Sequence, residues 1–127
     1  MSASNTQNLT VWMDIAVADL DRAIAFYSAV TARMVEKECY KEQEFAVFSH
    51  EGGNGACLIH SPEEIARNPG ILVYFNVNGR LQDAVKKVIE MGGQVNTDIH
   101  PIGPHGFRAI IIDSEGNKIA LHSETNE

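Results

Sequence analysis

Hydrophobic residues recur with two different periods along this chain, and the order of the periods occurs twice. Apolar positions two residues apart predict a first strand over residues 9–17, with one face formed by Val11, Met13, Ile15 and Val17. Asp19 then caps a predicted helix that is expected to cover this face, and its apolar stripe comprises Leu20, Ala23, Ile24 and Tyr27. Three short strands at 33–39, 44–49 and 56–60 complete a β-α-β-β-β order.

The second half repeats this order. A strand is predicted at 71–77, and a helix with apolar residues at helical spacing follows it and ends at Gly92. A strand at 94–98 and a loop at 100–106 come next. The segment between the halves, 61–70, begins with a Ser-Pro-Glu-Glu helix start and contains a proline that forbids continuation.

The chain closes with a predicted hairpin over residues 107–123. Its turn is Asp113 to Asn117, where Gly116 tolerates positive φ and β-branched residues flank both sides. Alternation along the second strand puts Ala120 and His122 on a cavity wall and the residues between them in the core.

A repeated unit with a single-faced sheet cannot bury itself alone, so the two units are expected to share a core. The sequence predicts one α+β domain over residues 1–127, built from module one at 9–60, a connector at 61–70 and module two at 71–123. In this fold class two βαβββ modules form a curled sheet around a shared cavity.

Composition excludes several classes of function. The net charge is −7 with only 10 Lys and Arg residues and no basic stripe, so nucleic acid is not expected as a partner and cationic ligands are favoured. Cys39 and Cys57 lack the spacing of a metal or redox motif and suit a reducing compartment. Residues 1–8 are polar and no apolar stretch approaches the ~20 residues of a membrane span. We therefore expect a cytoplasmic protein with no membrane partner.

Two motifs resemble those of a known superfamily. The run VADLDRAIAFY at Val17 to Tyr27 and the turn DSEGN at Asp113 to Asn117 resemble the helix start and the last turn of the vicinal oxygen chelate superfamily. Ser114 stands where that turn usually has proline. The superfamily includes glyoxalase I, bleomycin-resistance proteins and extradiol dioxygenases, and the likeness extends over residues 9–123. It implies the βαβββ fold and leaves the reaction open.

The resemblance also implies where a divalent metal would bind. Metal-binding members place a His or Glu ligand on the first and last strand of each module, and the matching positions here are Trp12, Leu58, Leu72 and Ala120. These side chains offer a divalent ion no nitrogen or oxygen ligand. We therefore expect no metal and no other cofactor.

A displaced metal site is the alternative. Two residues further along each strand, on the same predicted face, the chain carries Asp14, His60, Tyr74 and His122. Asp14, His60 and His122 would form a two-histidine, one-carboxylate site, with Tyr74 as an acid. In the simpler interpretation both histidines are solvated at strand ends, and Asp14 pairs with Arg108 or a backbone amide.

The predicted loop at 100–106 is a further candidate. His100 and His105 are placed there to form a lid, and Arg108 directly after it is suited to grip a carboxylate. The alternative is a surface connection with exposed histidines. Trp12 and Tyr74 either stack on a ligand or fill the cavity.

The leading functional hypothesis is metal-independent binding of a small organic molecule, as in proteins of the bleomycin-resistance type. The predicted cavity is lined by Trp12, Asp14, Leu58, His60, Leu72, Tyr74, Arg108, Ala120 and His122. A homodimer is expected because relatives commonly pair modules across chains to complete the cavity. The competing hypotheses are a metal-dependent isomerase, lyase or dioxygenase that uses the displaced site, and a partner protein whose cavity is filled by side chains.

Overall fold

The computed structural model describes residues 12–52, 54–65 and 72–127. In the first module the strands form one four-stranded sheet in the order β1-β4-β3-β2, with β1 parallel to β4. Its elements are β1 (Trp12–Val17), α1 (Leu20–Thr31), β2 (Val35–Tyr40), β3 (Gln43–Phe48) and β4 (Gly55–His60). A single 3₁₀ turn at Pro62–Glu64 follows β4.

The second module has the same topology, with the strand order β5-β8-β7-β6 and β5 parallel to β8. Its elements are β5 (Val73–Asn76), α2 (Leu81–Glu90), β6 (Gln94–Pro101), β7 (Phe107–Ile112) and β8 (Lys118–Ser123). The predicted pair of βαβββ modules is thus confirmed. The predicted strand start at 9–11 and the proline-containing end of the connector at 66–71 lie outside the described residues.

Strand β6 differs from its prediction. It continues to Pro101, so His100 lies in a strand, whereas the sequence predicted a loop. The register of β6 against β7 shifts on both sides of Thr97, and such irregularities disturb the alternation from which strands are predicted. The loop between β6 and β7 contains one 3₁₀ turn, Gly103–His105.

One hydrophobic core joins the two modules. The predicted stripe of α1 is buried, apart from the partly buried Ile24, and it packs over Ile15 and Val17 as expected. Tyr27 of α1 makes ring contacts with Phe48 of the first module and with Phe75 of the second, each at 5.5 Å between centroids. The helices lie on the inner faces of the sheets, and we call the opposite face of each sheet, which no helix of the described residues covers, its open face.

The turn between β7 and β8 forms hydrogen bonds that connect the second module to the first. The Glu115 carboxylate accepts hydrogen bonds from the backbone amides of Ala18 and Asp19, at 3.0 and 2.8 Å, and from Arg22. The hydroxyl of Tyr27 donates to Asp113 at 2.5 Å. This predicted hairpin turn therefore also holds the two modules together.

Within 12–52, 54–65 and 72–127, neither helix has the length and apolar character that crossing a membrane requires.

Candidate functional site

The strand register of the first module decides which residues reach its open face. Asp14 lies opposite Cys57 on β4, and Ile15 lies opposite Leu58. Because neighbouring residues in register share a face, Leu58 points with Ile15 into the core, where its exposed fraction is 0%. The prediction that Leu58 lines the cavity is therefore wrong. Cys57 is the residue of β4 that lies on the side of Asp14, and it is itself buried.

His60 lies on the same side of β4 as Leu58, since it is two residues further along the strand. It is exposed beside the start of α1, in a shallow depression of about 260 Å³ that also borders Asp19 and Lys37. Asp14 and His60 are consequently on opposite faces of one sheet. The residues of the displaced metal site do not converge, and the described ranges contain no group of three His, Cys, Asp or Glu side chains placed to hold a metal ion.

On the open face of the first module, Asp14 is held by its neighbours. It accepts hydrogen bonds from the indole of Trp12 and from the thiol of Cys57, both at 3.1 Å. Burial raises the pKa of Cys57 to about 11, and the hydrogen bond to Asp14 acts in the same direction. The thiol is therefore protonated at neutral pH and is not a nucleophile. One interpretation of the sequence expected Asp14 to pair with Arg108 or a backbone amide. In the structure, Asp14 instead accepts hydrogen bonds from Trp12 and Cys57.

The open face of the second module carries a row of polar side chains across its four strands. Asn76 lies opposite His122, His122 opposite Arg108, and Arg108 opposite His100. The next row of the same face is largely apolar, with Tyr74 opposite Ala120 and Ala120 opposite Ile110. We call the first set the polar row.

Hydrogen bonds fix the orientation of the polar row. Arg108 donates from Nε to His100 Nε2 at 3.0 Å, and it also donates to the Tyr74 hydroxyl. His100 in turn donates from Nδ1 to the carbonyl of Asp98 at 2.8 Å, so its Nε2 is the acceptor nitrogen of a neutral ring. His122 donates from Nε2 to the carbonyl of His105 at 2.7 Å.

A cavity of about 500 Å³ that is widely open to solvent lies beside this row. Among the residues that the structure describes, its lining comes from the second module and comprises Tyr74, Phe75, Asn76, Ile102, His105 and His122. His105 borders the cavity, whereas His100 is not among its lining residues and accepts a hydrogen bond from Arg108. That these histidines form a lid stays a prediction. Trp12 and Asp14 belong to the first module's separate open face.

The symmetry of the modules identifies the four positions at which metal-binding relatives place ligands. Ala120 lies opposite Tyr74 in the second module, and the corresponding pair in the first module is Cys57 and Asp14. The four positions are therefore Trp12, Cys57, Leu72 and Ala120. Three of them offer no donor suited to a divalent metal, and the Cys57 thiol is neutral and bonded to Asp14, so this set does not fit the ion.

Sequence reasoning missed Cys57. The run Ala56 to Ile59 is apolar throughout, so it carries no alternation that shows which residues face outward. Only the pairing of β4 with β1 supplies that information.

Comparisons with known proteins give one family and many similar structures. The sequence model described as Glyoxalase/Bleomycin resistance protein/Dioxygenase superfamily matches residues 9–121. A hypothetical protein from S. aureus is similar with a TM-score of 0.71 and 17% identity, over 92% of this chain and 95% of that one. Fosfomycin resistance protein FosX from Listeria monocytogenes has a TM-score of 0.68 and 15% identity, over 94% of both chains.

Glyoxalase I from Zea mays is also similar, with a TM-score of 0.66 and 17% identity. The match covers 89% of this chain but 45% of that one. No curated protein sequence matches this chain. At these identities the structural neighbours establish the fold alone.

Proposed function

The chain belongs to the Glyoxalase/Bleomycin resistance protein/Dioxygenase superfamily, and we propose that it binds a small organic molecule without a metal ion. The observation behind this proposal is the chemistry of the four positions at which metal-binding relatives place their ligands. Trp12, Leu72 and Ala120 offer no suitable donor, and Cys57 keeps its proton at neutral pH. A ligand of this chain is therefore held by shape, apolar contact and hydrogen bonds and not by a metal ion.

The cavity beside the polar row supports this proposal. Its volume of about 500 Å³ is in the usual range for small-molecule sites, and in a single chain it is widely open to solvent. Its wall combines the ring of Tyr74 and the side chain of Ile102 with a few polar groups, among them Asn76 and His122. Apolar walls with few fixed polar groups are typical of sites that bind organic ligands.

We propose that a second copy of the chain completes the cavity. Among the described residues of one chain the lining comes from the second module, and the open face of the first module carries Trp12 with 40% of its surface exposed. Relatives commonly pair modules across chains, and such pairing would place the Trp12 face of one copy over the cavity of the other. A cytoplasmic location remains a prediction, in keeping with two free thiols.

The metal-dependent alternative, an isomerase, lyase or dioxygenase, receives no support from the donor geometry. Asp14 and His60 lie on opposite faces of the first sheet, and His122 is bonded to the carbonyl of His105.

The metal part of the proposal is tested by elemental analysis. Protein purified without chelator, and protein incubated with Zn²⁺, Mn²⁺ or Fe²⁺ and then desalted, should contain well below one metal atom per chain. About one atom per chain that is lost in Cys57→Ala or His122→Ala would contradict it. His60→Ala is the matched control, because His60 faces away from the open face.

The ligand part is tested by thermal shift with a panel of small organic molecules. A ligand at a hundredfold its Kd should stabilise the fold by about 2.7 kcal/mol. Tyr74→Ala should abolish the shift, because Tyr74 lines the cavity and is largely exposed. Met34→Ala, which removes an exposed side chain outside the cavity, should leave it unchanged. A shift that survives Tyr74→Ala would place the ligand elsewhere.

A further inference from the structure

We infer that the ligand is an organic carboxylate, whose anionic group is bound by Arg108, Tyr74 and Asn76 and whose apolar body lies against Ile102 and the ring of Tyr74. This inference rests on the proposed binding function and names the chemical class of the ligand.

The first argument is the charge of Arg108. Arg22 and Arg80 each pair with a carboxylate, Glu115 and Asp83 respectively. Arg108 is half-buried, and its partners in the described part of the chain are neutral, namely His100 and the Tyr74 hydroxyl. A partly desolvated guanidinium without a counterion favours an anionic ligand, and its planar fork matches a carboxylate.

The second argument is the set of hydrogen-bond donors at the cavity. The Tyr74 hydroxyl accepts from Arg108, so its own proton remains available to a ligand oxygen. The side-chain oxygen of Asn76 accepts from the backbone amide of Asn78 at 2.9 Å, which directs the amide nitrogen of Asn76 outward as a donor. Tyr74 and Asn76 both line the cavity. Together with the guanidinium they present donors, which is the complement of a carboxylate.

The third argument is the arrangement of polar and apolar rows. The row of Tyr74, Ala120 and Ile110 lies two residues from the polar row on each strand, about 6–7 Å away on the same face. Ala120 itself is buried, with an exposed fraction of 0%, so its neighbours cover it. The apolar surface that a ligand can reach is that of Ile102 and the ring of Tyr74, which line the cavity beside the polar row.

The net charge of the chain disfavours an anionic ligand, whereas Arg108 favours one, but the net charge acts over a longer distance. A charge of −7 favours cations on average, as the composition indicated. Exposed charges more than about 8–10 Å away are largely screened at physiological salt. The charge that contacts the ligand is the guanidinium, so the local preference is for an anion.

Isothermal titration calorimetry on the full chain can test this inference with probes of matched shape. Benzoate and cyclohexanecarboxylate should bind. The Kd values of benzamide and benzamidinium should be at least about tenfold higher, because these probes lack the anionic group. Arg108→Gln should weaken the binding of benzoate by about tenfold or more. Arg33→Gln is the matched control, since Arg33 is an exposed arginine that bonds the carbonyl of Ser49, and it should bind benzoate normally.

The outcomes separate this inference from the proposed function. If benzamide or benzamidinium binds as tightly as benzoate and Tyr74→Ala abolishes that binding, the cavity binds ligands but the carboxylate assignment is wrong. If Arg108→Gln binds benzoate like the unaltered chain, the assignment is equally wrong. If these carboxylates fail to bind while another member of the thermal-shift panel binds, the carboxylate assignment alone is wrong. If no member of the panel binds either, the proposed function fails as well. Circular dichroism of each variant verifies that its fold is intact.

Discussion

Glu115 shows how a single residue joins the two modules. Burial alone would raise its pKa, but hydrogen bonds from Arg22, from the amide of Asp19, from Ser114 and from the amide of Ala18 lower the pKa to about 2. Ser114 occupies the position where related turns have proline, and its hydroxyl donates to Glu115 at 2.9 Å. The departure from the motif therefore adds a hydrogen bond that proline has no group to make.

Replacing Glu115 by Gln should destabilise the fold by about 2–4 kcal/mol, because Arg22 loses its charged acceptor. Since the pKa of Glu115 is depressed, its stabilising effect is complete above its ordinary value of 4.5 and is lost as the pH falls toward about 2. This effect amounts to at most about 3 kcal/mol. Urea unfolding of both proteins from pH 7 to pH 2 measures it.

The gap in stability between Glu115→Gln and the unaltered chain should therefore narrow below pH 4.5. A gap that stays constant down to pH 2 would contradict the role given to the charge. Glu36→Gln, an exposed carboxylate on β2, is the control and should change stability little at any pH.

Individual elements were predictable from the sequence to different degrees. Both helices were predictable, because their apolar stripes have a clear period and because α2 ends just before Gly92, whose φ is +91°. The orientation of β4 was not predictable, because its residues are apolar on both faces. A shift of one residue in the register puts Cys57 instead of Leu58 on the side of Asp14. The polar row likewise depends on pairing between distant strands. Arg108 and His122 were recognisable as candidates, but their contacts with Tyr74 and His100 were not.

The end of α1 gives a prediction about an element. Ala32 follows the last residue of this helix in the left-handed conformation, at φ 56° and ψ 35°. After α2, a glycine, Gly92, adopts the positive φ instead. Ala32→Gly should raise stability by about 0.5–1 kcal/mol, because glycine adopts this conformation without the steric cost of Cβ. Thermal unfolding should show a rise in Tm of a few degrees. Ala25→Gly, exposed within the same helix, is the control and should lower stability by about 1 kcal/mol. A loss of stability in both variants would contradict this account.

At the scale of the whole molecule, no helix in the described part of the chain covers the second face of either sheet. Helices and the shared core cover the inner face of each sheet, while the open faces expose Trp12 in the first module and Tyr74 in the second. Strands β1 and β5 also lie at the edges of their sheets, and unprotected edges favour association with another chain. The repeat in the sequence predicts the two modules, but it carries no signal that says which module of which copy faces the cavity.

If a second copy covers these faces, the protein should sediment at twice its chain mass of 13.9 kDa at micromolar concentration. Trp12→Lys should shift the equilibrium toward monomer, because it places a charge where the partner would bury an aromatic ring. Ile89→Lys is the matched control, since Ile89 is 61% exposed on α2, away from the open faces. Sedimentation velocity over a range of concentrations measures both. A chain that is monomeric throughout, or equal effects of the two variants, would show that the open face of the first module does not complete the cavity of a partner.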